Sequence, residues 1–439
     1  MLKSRDFKRR RKHLLRQLDE QSVVIVKSAP TRVRNRDVEY PFRQDSDFHY
    51  LTGFLEPDAV AVLLPGRKEG EYVLFCRPFD PEKAIWTGRH AGLEGAVEDH
   101  GADQALPIDA FEETLPTLLQ GRKRIYFAMG ADTALDQTVM AALQHLKQQV
   151  RTGVETPETL HSLEALLHEM RLVKSDKEIS LMQKAADVTV KGHLRAMQFA
   201  RPGVYEYQVE AELVHEFAKN GLRSQAYPSI VASGTHACVL HYTENNDRLQ
   251  SGDLLLIDAG AEYENYAADV TRTFPVNGRF SEPQRLLYRC VLKAQLAAID
   301  AVRPGNHWNQ PHEAAVKVLT RGLVDLGLLE GKVSTLIREE AYKPFFMHRT
   351  GHWLGMDVHD VGAYKIGGAW RTLKPGMVLT VEPGLYIQPG CPDVDPIWHG
   401  IGIRIEDDVL VTETGHRVLT AGLPKDPDAI EALMAGRRR

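Results

Sequence analysis

The sequence predicts two domains, an α/β domain over residues 1–170 and an α+β domain over residues 171–439. Short β-branched runs alternate with helical patterns in the first part, the signature of a sheet covered by helices. The second part groups its helices in pairs, and its strands suit an antiparallel sheet. Between them lies the polar stretch 151–157, just ahead of a long helical pattern. A chain of 439 residues has material for two such cores.

In chain order, strands are expected at 23–27, 60–64, 72–76 and 124–127, with helices at 111–120 and 131–149. Ser175-Asp-Lys-Glu178 then opens a helix with a capping residue and early acids, and Arg201-Pro-Gly203 closes it. A helix at 206–220 has Gly221 just past its end. Two more are expected at 282–302 and 312–326, and strands at 253–258, 266–276, 377–382 and 402–411. The basic segment Lys3–Lys12 runs into Leu14, Leu15 and Leu18, with polar residues between them. It reads as the solvated face of an amphipathic helix, as does Arg437-Arg438-Arg439, and without an apolar core it is not a secretory signal.

Composition narrows the function. A net charge of −5 argues against nucleic acid as the main partner, and no apolar run approaches the ~18 residues of a membrane span. Cys76, Cys238, Cys290 and Cys391 lie far apart without a C-x-x-C pair, so neither a disulfide framework nor a zinc knuckle is expected. They read as free thiols of a reducing cytoplasm.

Chemistry concentrates in the second domain. The segments ending in Asp258 and surrounding Asp269 read as a hairpin centred near Tyr263–Glu264, which sets Asp258 directly opposite Asp269. Like charges opposed across a ladder destabilise it, so this pair calls for a shared proton or a cation. In Gly400-Ile-Gly-Ile-Arg-Ile-Glu406 the isoleucines take one strand face, which leaves Arg404 and Glu406 on the other. Glu382 ends an apolar strand before Pro383-Gly384. Three histidines, His348, His352 and His359, lie within twelve positions of glycine-punctuated sequence, where Gly351 and Gly355 oppose a helix. Four carboxylates with imidazole suit hard divalent ions, Mn²⁺ first and also Co²⁺, Zn²⁺ or Fe²⁺, and so much negative charge calls for two of them.

These segments resemble the aminopeptidase P (Xaa-Pro aminopeptidase) branch of the pita-bread metallopeptidases. The resemblance covers nearly the whole chain. It includes Asp37-Val-Glu-Tyr-Pro-Phe-Arg-Gln-Asp-Ser-Asp-Phe-His-Tyr-Leu-Thr-Gly-Phe54, Leu240-His241-Tyr-Thr-Glu-Asn245, the 348–362 stretch and Thr380-Val-Glu-Pro-Gly-Leu-Tyr386. It implies a creatinase-like N-terminal domain and a pita-bread catalytic domain. Asp258 would chelate one metal, Asp269 and Glu406 would bridge both, and His352 and Glu382 would complete the coordination of the other metal. His241, His348 and His359 would line the pocket and stabilise an oxyanion, with Glu382 also shuttling a proton. Arg404, paired with Asp37, would face substrate, and Trp86 would wall the pocket. One departure is Arg349, where the family tends to carry a small residue.

The activity implied is removal of an N-terminal residue that precedes proline, by a homo-oligomer, dimer or tetramer. That bond is a tertiary amide without an N–H, which peptidases that bind substrate as a strand handle poorly. The rival readings are prolidase, confined to Xaa-Pro dipeptides, and a non-catalytic pita-bread binding protein. The five competent ligand positions oppose the second.

Overall fold

The computed structural model describes residues 2–436; Met1 and the expected basic helix face at Arg437-Arg438-Arg439 lie outside them. The chain forms two compact units, Met1–Met170 and Arg171–Arg439.

The first unit is built on a six-stranded mixed sheet, in the order Gln104–Pro107, Tyr72–Cys76, Val60–Leu63, Ser22–Lys27, Arg124–Phe127, Thr159–Ser162. The last three run parallel to one another, while Val60–Leu63 is antiparallel to both its neighbours. Helices Phe111–Leu119 and Thr133–Gln148 bury Leu115, Leu119 and Val139 against Val23, Ile25 and Phe75. The N-terminal basic segment is a helix, Ser4–Leu15, yet two of its cations are not solvated. Arg10 and Arg11 are buried, donate to the carbonyls of Tyr50 and Leu51, and stack at 4.0 Å on Tyr50 and Tyr72. Their long stems and planar heads suit burial against aromatic faces and carbonyls.

The second unit pairs helix Asp176–Phe199 with Glu206–Lys219, and Glu282–Ala301 with Gln310–Asp325. The first starts where expected, with the Glu178 carboxylate accepting the Ser175 N–H at 2.9 Å. Between the pairs lie short antiparallel sheets: Ile230–Ser233, Leu254–Asp258 and Thr271–Pro275; Val378–Val381, Asp407–Val411 and His416–Val418; and Gly384–Ile387 with Ile401–Arg404. One apolar core joins helices and strands, and Leu255, Ile257, Ile403 and Ile405 are fully buried in it.

Two strands expected to be continuous are interrupted. The 266–276 segment splits into Tyr266–Ala267 and Thr271–Pro275, and 402–411 splits between Arg404 and Asp407. Asp269 and Glu406 occupy these gaps. The hairpin register also differs from the expectation by two residues. Its turn is Glu264–Asn265, both with positive φ (49° and 65°), so Asp258 lies opposite Thr271. Such a two-residue turn matches the twist of the flanking strands, and its geometry decides the register. Asp258 and Asp269 become diagonal neighbours. Because the shift is even, both acids keep the same face.

Candidate metal centre

Each carboxylate of the second unit's cavity stands at a strand end or gap, where the ladder no longer fixes the neighbouring backbone. Asp258 ends Leu254–Asp258, and Glu382 lies between Val378–Val381 and Gly384–Ile387. The backbone groups in the gaps find other partners: the Glu406 N–H donates to the Thr271 carbonyl at 3.1 Å, and the Asp269 N–H to the Asp408 carboxylate at 3.2 Å. The histidine segment takes no helix. Residues 350–354 run beside Val378–Val381, with Thr350 accepting from the Glu382 N–H, His352 from that of Thr380, and Val378 from that of Leu354. A Cβ at Gly351 would overlap the Thr380 carbonyl, so glycine is what admits this approach.

Together these segments enclose a cavity of about 970 Å³ lined by Asp258, Asp269, Glu382, Glu406, Arg404, Tyr227 and all four expected histidines. One ligating atom each of Asp269, His352 and Glu406 lies within 4.8 Å of the others. His352 Nε2 is 3.3 Å from Asp269 Oδ2 and 3.7 Å from Glu382 Oε1. Its Nδ1 lies 2.9 Å from the Trp353 carbonyl, which can only accept, so the proton sits there and Nε2 is turned to the carboxylates. The Tyr227 hydroxyl reaches 2.5 Å from both Asp258 Oδ1 and Asp269 Oδ1.

The electrostatics are those of a site short of positive charge. Burial raises the proton affinity of Glu406 far above its ordinary value, and nearby Asp269 and Glu382 add to it. Burial likewise pushes Glu382 up to about 7 and raises Asp258. His352 is pushed up to about 9: burial opposes its charge, but the hydrogen bond to Asp269 and the fields of Glu382 and Asp269 outweigh that. Asp269, despite burial, is held low by His352. Three buried carboxylates and the partly buried Glu382 converge on one cavity in which Arg404 is the one buried guanidinium of the lining. Carboxylate oxygens with one imidazole form a donor set for hard divalent cations, and their unbalanced charge fits such ions.

Comparison with known proteins adds the lineage. The model of metallopeptidase family M24 matches residues 180–413, and that of the aminopeptidase P N-terminal domain matches 7–126. The chain belongs to metallopeptidase family M24. Among its M24 relatives, the Xaa-Pro aminopeptidase of Escherichia coli is 46% identical, over 99% of this chain and 98% of that one. The Haemophilus influenzae Xaa-Pro aminopeptidase is 45% identical with the same coverage. The solved structure of Pseudomonas aeruginosa aminopeptidase PepP superposes with a TM-score of 0.98 at 53% identity, covering 100% and 99% of the two chains. A glutamate-to-alanine variant of E. coli aminopeptidase P in complex with substrate gives 0.96 at 45%, covering 100% and 99%. The pita-bread and aminopeptidase P N-terminal fold expected from the residues is therefore the fold observed, and the chain is a metallo-aminopeptidase that binds divalent metal.

Within the M24 unit, some expected residues stand apart from the cluster. His241 and His359 are exposed at the cavity wall, with the His359 ring edge-on to His352 at 4.3 Å. His348 has both nitrogens engaged. Nδ1 donates to the Arg349 carbonyl at 2.7 Å, and Nε2 therefore accepts from the Tyr386 hydroxyl at 2.8 Å. Burial, aided by Arg404, lowers its pKa to about 3, so it is neutral. Arg404 is buried and donates to Asp258 at 2.7 Å, Tyr386 at 3.0 Å and Thr271 at 3.2 Å. Within its own unit the carboxylate partner of Arg404 is Asp258. Asp37 is exposed in the 33–39 hairpin of the N-terminal unit, and Trp86 of the same unit is 88% exposed on helix Pro81–Thr87. Tyr227, Tyr386 and Thr271 were missed. Tyr227 sits in the irregular loop before Ile230–Ser233, where no periodicity marks it.

Proposed function

We infer that this chain is an Xaa-Pro aminopeptidase, releasing the N-terminal residue of peptides with proline in second position. The observation that carries this reading is the convergence of Asp269, His352 and Glu406 in one cavity, within a chain that matches Xaa-Pro aminopeptidases end to end. We assign Asp258, Asp269, His352, Glu382 and Glu406 to two divalent cations, with Mn²⁺ the first candidate. Cations held there supply an acidified water and a polarised carbonyl.

The chain's own residues do the rest. His241 and His359, at the exposed wall, orient the scissile carbonyl and donate to the charge that develops on its oxygen. His348 fills a positioning role: with both nitrogens engaged, it holds the Tyr386 hydroxyl, which in turn accepts from Arg404. Glu382, 3.7 Å from His352 and 3.8 Å from His348, is assigned to carry a proton to the departing proline nitrogen. Arg404 holds Asp258 and forms part of the cavity wall that substrate meets. Asp37 and Trp86 are proposed to contact substrate from the N-terminal unit.

No helix of the described residues is long and apolar enough to cross a membrane, and all four cysteines are unpaired. We propose a cytoplasmic homo-oligomer, dimer or tetramer, acting on peptides rather than nucleic acid. The test is hydrolysis of Xaa-Pro-Yaa, Xaa-Pro and Xaa-Ala-Yaa peptides with Mn²⁺, Co²⁺ or Zn²⁺. Release of Xaa from Xaa-Pro-Yaa alone is the expected result. Preference for the dipeptide makes the chain a prolidase, and no cleavage with any metal returns it to the binding-protein reading.

A further inference from the structure

Arg349 interrupts the histidine segment with a charge, and it lines the same cavity as the carboxylates. Its guanidinium stacks 5.3 Å from the centroid of Trp370, and it donates to Asn309 Oδ1. Lys365 meets the same indole, its Nζ 4.3 Å from the centroid. The second contact is built by a hairpin: Lys365–Ile366 pairs with Ala369–Trp370, and Lys365 lies directly opposite Trp370. Gly367 and Gly368 make the turn, both with positive φ, so the two side chains share one face.

Two cations therefore converge on one ring, each within 5.3 Å of its centroid. Neither has a carboxylate partner among the described residues. Glu313, whose field reaches Arg349, is engaged by Asn309 Nδ2 at 2.7 Å. Two cations that share one ring while neither is in an ion pair leave a net positive patch, which the ring's negative face and the field of Glu313 offset only in part. The geometry points to an anion as the missing partner, at the wall of a cavity whose depth is negatively charged. A peptide entering amine first leaves its downstream part toward that wall. We propose that Arg349 and Lys365, braced by Trp370, select peptides with a carboxylate downstream of proline. The carboxylate is either the C-terminus of a short peptide or an acidic side chain. This proposal rests on the Xaa-Pro aminopeptidase reading and specifies its substrate class.

The test uses four peptides on the Mn²⁺-loaded enzyme: Ala-Pro-Ala as free acid, the same peptide amidated, and amidated Ala-Pro-Glu and Ala-Pro-Lys. Wild type should show kcat/KM about tenfold higher for a carboxylate peptide than for the neutral amide, mainly through KM, and lowest for the lysine peptide. The preference should shrink with salt. Gain by the free acid identifies a terminal carboxylate, and gain by the glutamyl amide identifies a side chain. Arg349→Ser with Lys365→Gln should bring the ratio of anionic to neutral kcat/KM close to one; the exposed Lys365→Gln alone should lower it by a smaller factor. Equal ratios in wild type and double variant overturn the proposal, as does a wild-type preference for the lysine peptide. Failure to cleave any of the four overturns the peptidase reading, and this one with it.

Discussion

Glu406 and Asp407 are consecutive in the chain and both fully buried, but their surroundings oppose each other. Asp407 is matched by its own fold. Arg272 donates to it at 2.8 Å, Lys425 at 2.6 Å, Gln295 at 2.7 Å and the Thr420 hydroxyl at 2.7 Å. Burial alone would raise its pKa, yet Arg272 and Lys425 outweigh that and hold it at about 2. Glu406 receives a single hydroxyl, from Thr271 at 2.6 Å, and faces Asp269, Glu382 and Asp258. A buried acid with structural work is neutralised by neighbours the chain supplies. One left in surplus marks charge that must come from outside.

That contrast can be broken at either acid. The largest effect should follow Asp269→Ala or Glu406→Ala. Loss of several kcal/mol of transition-state stabilisation means roughly 10³-fold lower kcat/KM. The protein should still fold, and substantial turnover in Mn²⁺-supplemented buffer would sink the two-cation assignment. Next, Asp407→Asn leaves Arg272 and Lys425 without their carboxylate and should cost about 3–5 kcal/mol of stability. Glu406→Gln should instead leave metal-free stability unchanged or higher. Urea melts of the two variants side by side compare them directly, and equal destabilisation would erase the distinction.

Acid titration gives the third test. The Asp407 carboxyl, held at about 2 against ~3.9 unfolded, contributes about 2.5 kcal/mol. This contribution is fully present above pH ~4 and is lost as pH falls through ~2. Wild type should therefore lose stability across that window more steeply than Asp407→Asn, measured by urea midpoints at each pH. The smallest effect is expected at Tyr227→Phe. It removes the hydroxyl that reaches Asp258 and Asp269, and should weaken Mn²⁺ affinity by about tenfold with little change in metal-free melting. Calorimetric titration of the metal measures it.

Legibility in the sequence followed the same division. The carboxylates were readable because each stands against an alternating or apolar strand, where an acid is conspicuous. Their facing was readable too, since side-chain parity survives a register shift of two. The register itself was not, because it depends on Glu264–Asn265 adopting positive φ, to which a glutamate gives little clue. The pairing of 350–354 with Val378–Val381 was hidden, since glycines removed the strand pattern while permitting the contact. Which histidine turns to the acids came only from the family resemblance. Arg10 and Arg11 were misread as solvated because the aromatic rings and carbonyls that receive them lie about 40 and more residues away.

The gaps that hold Asp269 and Glu406 have a consequence for synthesis. The acids meet at a seam drawn from segments 258–269, 352, 382 and 406, so no fragment that ends before residue 406 holds the full carboxylate set. A chain emerging from the ribosome folds its N-terminal unit first and then waits on contacts of long sequence separation, which form late. Until residue 406 has emerged and its N–H has paired with the Thr271 carbonyl, the carboxylate set is incomplete.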